Sequence, residues 1–129
     1  MSRGGRIGLL GYQNSLALIV KGMLMHPYGL PVTDVTWVTA REERVGGKLP
    51  ENIKVDRADG KRPEDLLLAG EIDALVEPDL PRAWLQGRAT VAQLFPDFER
   101  DERNYYKTAG IFPIMHPLVV KKEILDRDP

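Results

Sequence analysis

The chain of 129 residues is 43% hydrophobic and 29% charged, the balance of one globular domain rather than a disordered or fibrous protein. A net charge of −1 gives no basic field for nucleic acid or an anionic membrane, and the lack of cysteine excludes disulfides, thiolate metal sites and thiol nucleophiles. No apolar run approaches the roughly 18 residues of a membrane span, and Met1 to Arg6 hold no signal-peptide core, so the chain reads as soluble and cytoplasmic.

Arg6 to Leu10 is a short buried strand entering a turn at Gly11-Tyr-Gln-Asn-Ser15. Asn14 and Ser15 are good helix caps, and Leu16 to Met25 follows as a helix apolar on nearly every side, hence a buried one. Pro27 and Gly29 stop it near His26. Asp34 to Thr39 is rich in β-branched and aromatic residues and reads as the second strand. The charged, glycine-bearing stretch from Ala40 to Pro50 is a loop, and Asn52 to Asp56 alternates like a half-exposed strand.

Pro63 opens a helix through Glu64 to Ala69 that stops at Gly70, and Ile72 to Val76 is another strand. A proline-rich turn, Glu77-Pro-Asp-Leu-Pro81, comes next. Thr90 to Phe95 and Phe98 to Lys107 read as helices around a break at Pro96. Gly110 to Val120 reads as an extended crossing strand, interrupted by Pro113 and Pro117 and carrying His116 at its centre. Lys121 begins a last helix, within which the chain ends. This alternation predicts an α/β fold, a three-layer sandwich with a mostly parallel sheet.

The ordered set of Gly11-Tyr-Gln, His26-Pro-Tyr-Gly-Leu30, Asp34-Val-Thr-Trp-Val38, Asp65 to Leu75, Leu94-Phe-Pro-Asp97, Tyr105-Tyr106 and Gly110 to His116 resembles the 4,5-dihydroxyphthalate decarboxylase family. The resemblance runs from about Arg6 to Pro129 and implies one lobe of a type 2 periplasmic-binding-protein-like fold. It further implies a single lobe over residues 1–129, the second of a two-lobe protein, with residues 117–129 returning as strand and helix toward the missing first lobe. The abrupt start on a strand and the end inside a helix fit a fragment.

Ligands of open α/β sheets bind beyond the carboxyl ends of the strands, which directs attention to the loops Gly11 to Ser15, Thr39 to Glu43 and Glu77 to Arg82. A turn entering a helix N-terminus presents unpaired N–H groups to an anion, so Tyr12, Gln13, Asn14 and Ser15 are candidate carboxylate contacts. An ordinary capped helix without a ligand is the other reading of the same residues. Thr39 lies in the second loop. Arg41, Lys48 and Arg82 are candidate cations, although Arg41 belongs to the charge run Arg41-Glu-Glu-Arg44 and Asp79 stands where the resemblance leads one to expect a basic residue.

The implied reaction removes a carboxylate as carbon dioxide. A dihydroxylated ring can accept the electron pair by protonation at the ipso carbon, so no cofactor is required, but an acid working near neutral pH is. His116 is the first candidate for that acid and Glu77, at a strand's carboxyl end, the second. A satisfied core histidine is the alternative for His116. No metal-ligand pattern is present. The expected partners are a small aromatic or organic carboxylate and the missing lobe. The competing functional reading is a non-catalytic solute-binding lobe of an ABC transporter, which would be periplasmic.

Overall fold

Alternate residues of β1 (Arg6–Leu9) bury on opposite faces, and that period of two organises the molecule. Ile7 and Leu9, each 1% exposed, point toward α1 (Ser15–Met25), where Ala17 and Leu24 meet them. Trp37 of β2 (Thr36–Thr39) joins the same cluster and donates its indole N–H to the Val32 carbonyl at 2.9 Å. On the opposite face Val38 packs with Leu66 of α2 (Pro63–Leu68) and with Ile72. Helices thus cover both faces of the sheet, the three-layer arrangement expected from the sequence.

The computed structural model describes residues 4–87, 91–112 and 119–127. Its sheet has the order β3-β2-β1-β4, with β3 at Lys54–Arg57 and β4 at Ala74–Val76. Every pairing is parallel, in the register Leu9↔Thr39, Thr39↔Arg57 and Leu9↔Val76. The path through α1 steps from β1 to β2. The path through α2 runs the other way, from β3 across to β4. Right-handed crossovers travelling in opposite directions place their helices on opposite faces.

Gly8 faces α2, and a β-carbon there would come within 2.6 Å of Ile72 Cδ1. Its missing side chain lets the α2–β4 connection settle onto the sheet.

Several expected boundaries move for local reasons. β2 starts at Thr36, because Asp34 closes a turn by donating its N–H to the Pro31 carbonyl at 3.0 Å. β4 starts at Ala74, because Glu71 and Ile72 direct their N–H groups at the Leu66 carbonyl in the last turn of α2. Residues 91–95 are not helical. They take an irregular path into Pro96, which disfavours helix in the residue before it, and the Phe95 ring stacks 5.4 Å from Tyr28.

A short helix not foreseen from the sequence, α3 (Arg82–Leu85), follows the proline-rich turn. Next comes α4 (Phe98–Ala109), capped by Asp97 and ended by Gly110 at φ 67, and then α5 (Lys122–Arg127), none of whose residues is buried. The strand expected over Gly110 to Val120 is not seen at residues 110–112 or 119–120, and residues 113–118, with His116, lie outside the described residues.

Candidate functional site

β1 has β2 on one side and β4 on the other, so the chain's strand order reverses direction between β1 and β4. Crevices at such points, beyond the carboxyl ends of the strands, are where α/β folds hold ligands. Because Leu9 is in register with Val76, the turn after β1 and Glu77 after β4 leave the sheet side by side.

The turn after β1 is built by its own side chains. Asn14 donates from Nδ2 to the Gly11 carbonyl at 2.9 Å, and its Oδ1 accepts the Ala17 N–H at 2.7 Å. That cap aims the N–H groups of Tyr12 and Gln13 outward. A carboxylate already sits on them: Glu43 accepts from the Tyr12 N–H and, at 3.0 Å, from the Gln13 N–H. Beneath the turn, the Lys21 ammonium donates to the Tyr12 carbonyl at 2.7 Å and lies 3.3 Å from the Tyr12 ring centroid. Tyr12 also meets Trp37 edge-on, with centroids 6.0 Å apart. Burial pulls the Lys21 pKa down from the usual lysine range, with Glu43 partly opposing it, and burial raises the Tyr12 hydroxyl.

Glu77 lines a groove of about 650 Å³ walled by Val20, Leu24, Val76, Leu80 and Trp84. Burial beside these apolar walls raises its carboxyl pKa, and Glu64 and Asp79 push the same way against the opposing pull of Arg62. Glu64, 6% exposed, accepts the Ala83 N–H at 2.8 Å and pairs with Arg62 at 2.6 Å. One carboxylate therefore fixes the start of α3 and also biases Glu77 toward its protonated form.

Among the residues singled out in the sequence, Tyr12 and Gln13 present backbone donors at the turn, and Glu77 stands at the neighbouring strand end. Asn14 is committed to capping, and Ser15 is the exposed first residue of α1. Thr39, 3% exposed, serves the sheet, its hydroxyl 3.4 Å from the Asp56 carbonyl. Arg41 is exposed in the loop after β2 and Arg82 is the exposed first residue of α3, and the Arg41 backbone N–H is tied to the Leu10 carbonyl at 3.0 Å.

Lys21, Glu43 and Glu64 were not foreseen. A lone charge in an otherwise apolar helix was the available signal for Lys21. Glu43 was hidden in a charge run, and Glu64 looked like an ordinary acid in the first turn of a helix.

The fold and these groups define an α/β lobe whose polar turns gather at the carboxyl edge of a parallel sheet. In sequence the chain is similar to the 4,5-dihydroxyphthalate decarboxylase of Comamonas testosteroni, 33% identical over 134 residues that cover 98% of this chain and 41% of that enzyme. It is 32% identical over 112 residues to the 4,5-dihydroxyphthalate decarboxylase of Pseudomonas putida, covering 81% of this chain and 43% of that one. The resemblance carried by the ordered motifs is thus borne out, and the chain spans about two fifths of the length of these curated relatives. No family model matches it.

Proposed function

We propose that this chain is one lobe of a two-lobe, cytoplasmic carboxy-lyase that removes carbon dioxide from an aromatic acid of the 4,5-dihydroxyphthalate type. Similarity to two enzymes of that name supports the reaction class. The observation that carries the chemistry is Glu77, an acid with a raised pKa on an apolar groove next to the β1 turn.

One substrate carboxylate is anchored by the Tyr12 and Gln13 N–H groups, and Arg41 after β2 and Arg82 at the start of α3 offer charge to the other. The ring carbon bearing the departing carboxylate takes the proton of the Glu77 carboxyl. The carbon–carbon bond then breaks, its electron pair restores the aromatic ring, and carbon dioxide leaves. Water returns a proton to Glu77. His116 is the second candidate for the same acid.

The test is a chimera in which this chain replaces the matching stretch of the Comamonas testosteroni enzyme, assayed for carbon dioxide release from 4,5-dihydroxyphthalate. Turnover is expected, with Glu77→Gln lowering it by about 100-fold while substrate still binds. A folded chimera that binds substrate without releasing carbon dioxide refutes the reaction. Full activity of the Glu77→Gln chimera removes Glu77 from it.

A further inference from the structure

The Glu43 carboxylate reaches the β1 turn from a loop thirty positions away and gives one oxygen to each of two consecutive amides, Oε1 to Tyr12 and Oε2 to Gln13. That is how a planar carboxylate ligand would dock. Behind the two amides stands Lys21, 9% exposed, which among the described residues forms no ion pair. The seat is therefore two aimed donors on a residue that a buried cation holds in place, and an anion of the protein's own fills it.

The tether of that anion is slight. Ala40 and Arg41 are tied to the Leu9 and Leu10 carbonyls, but among the described residues no backbone hydrogen bond involves residues 42–49. That stretch contains Gly46-Gly47, and its fastenings besides Glu43 are exposed Glu42–Arg57 and Lys48–Glu51 pairs at 3.4 Å and 3.8 Å and partial burial of Leu49. Exposed pairs of this kind hold a loop weakly, because water and salt screen them. Glu43 is held by the seat more than by its own loop.

We propose that Glu43 is a removable occupant of the substrate-carboxylate seat, displaced when a ligand carboxylate with two coplanar oxygens takes over the Tyr12 and Gln13 N–H groups. The proposal rests on the seat assigned under the proposed function and adds an internal competitor to it. The competitor lowers apparent affinity by the fraction of time it occupies the seat, and it rejects anions that cannot satisfy both donors at once. Loop 42–49 is released as the ligand enters, so occupancy of the seat is coupled to the position of that loop.

The experiment titrates the 129-residue chain and its Glu43→Ala variant with benzoate and follows the Tyr12 and Gln13 amides and the Glu43 side-chain carboxyl by NMR. Benzoate should shift both amides in both proteins and bind the variant at least ten times more tightly. In the unmodified chain it should also move the Glu43 carboxyl resonance. Equal affinities, with a stationary Glu43 signal, overturn the competitor and leave the seat intact. No shift of the two amides in either protein overturns the seat together with the competitor. Should Glu43→Ala fail to fold, the unmodified chain decides alone, since benzoate shifts at Tyr12 and Gln13 without movement of Glu43 refute displacement.

Discussion

The Lys21 ammonium holds Tyr12 twice, through a 2.7 Å hydrogen bond to its carbonyl and by lying 3.3 Å from its ring centroid. Both contacts fix the residue that, with Gln13, donates the two N–H groups holding the Glu43 carboxylate, so a side chain that makes no hydrogen bond to that carboxylate sets the geometry of its seat.

Lys21→Met should leave stability near pH 7 within about 1 kcal/mol, because the lost hydrogen bond is offset by relief of a buried charge. The pH profile should change more. A lysine whose folded pKa lies below its unfolded value of about 10.5 binds fewer protons when folded, so stability rises with pH through that window. The raised Tyr12 hydroxyl works in the opposite sense in the same window, so denaturant titrations at stepwise alkaline pH should show the Lys21 contribution as stability that climbs more with pH in the unmodified chain than in the variant. Identical profiles would show that Lys21 is not desolvated.

Glu64 should separate structure from electrostatics. Glu64→Ala orphans the buried Ala83 N–H and should cost about 1–3 kcal/mol, whereas Glu64→Gln keeps an acceptor and should cost less. Both remove the negative charge that helps hold Glu77 protonated, so carbon-13 titration should find the Glu77 carboxyl ionising at lower pH. A raised acid pKa contributes stability at low pH that is lost as pH climbs from 4.5 through the folded value, and either variant should narrow that window. An unmoved Glu77 titration would dissociate the two residues.

Gly8→Ala should cost about 1–3 kcal/mol by pressing a methyl against Ile72 Cδ1 in a packed cluster. Ile72→Val deletes that atom, so the double variant should be more stable than the sum of the single costs. Strictly additive melting shifts would mean that Gly8 is required for something other than room.

The isolated chain should release no carbon dioxide from 4,5-dihydroxyphthalate, because one wall of a cleft neither excludes water nor fixes the substrate. Turnover by the chain alone would contradict the two-lobe reading. In the chimera, His116→Gln decides between the candidate acids. A loss of about 100-fold with unchanged melting assigns the proton to His116, and unchanged turnover leaves Glu77 in the role.

The alternation of strands and helices was legible wherever a local pattern sufficed: the β1 turn, the Asn14 cap, and Pro63 at the head of α2 all stand where their residue types point. Local pattern fails where a distant partner decides. α3 owes its N-terminus to Glu64, nineteen positions earlier. Residues 91–95 line the groove instead of coiling, because Pro96 and the Tyr28 ring give their apolar side chains another place to go. At the turn the helix cap was readable, yet the Glu43 carboxylate on the Tyr12 and Gln13 N–H groups was not, since nothing near Glu43 in the sequence distinguishes it from a solvated charge.

An all-parallel sheet contains no hairpins, and here that governs how the chain must assemble. Of the four strands β1 emerges first and takes a central place, but its second neighbour arrives only with Ala74–Val76, after three crossover connections. Until then one side of β1 carries unpaired amides and carbonyls, and Gly8 offers no bulk to shield them. Long-range pairing of this kind is slow, because loop closure comes before its reward. During synthesis the half-built sheet therefore presents an adhesive edge, so crowding of nascent copies would seed mispairing along β1 rather than at the exposed helices that follow.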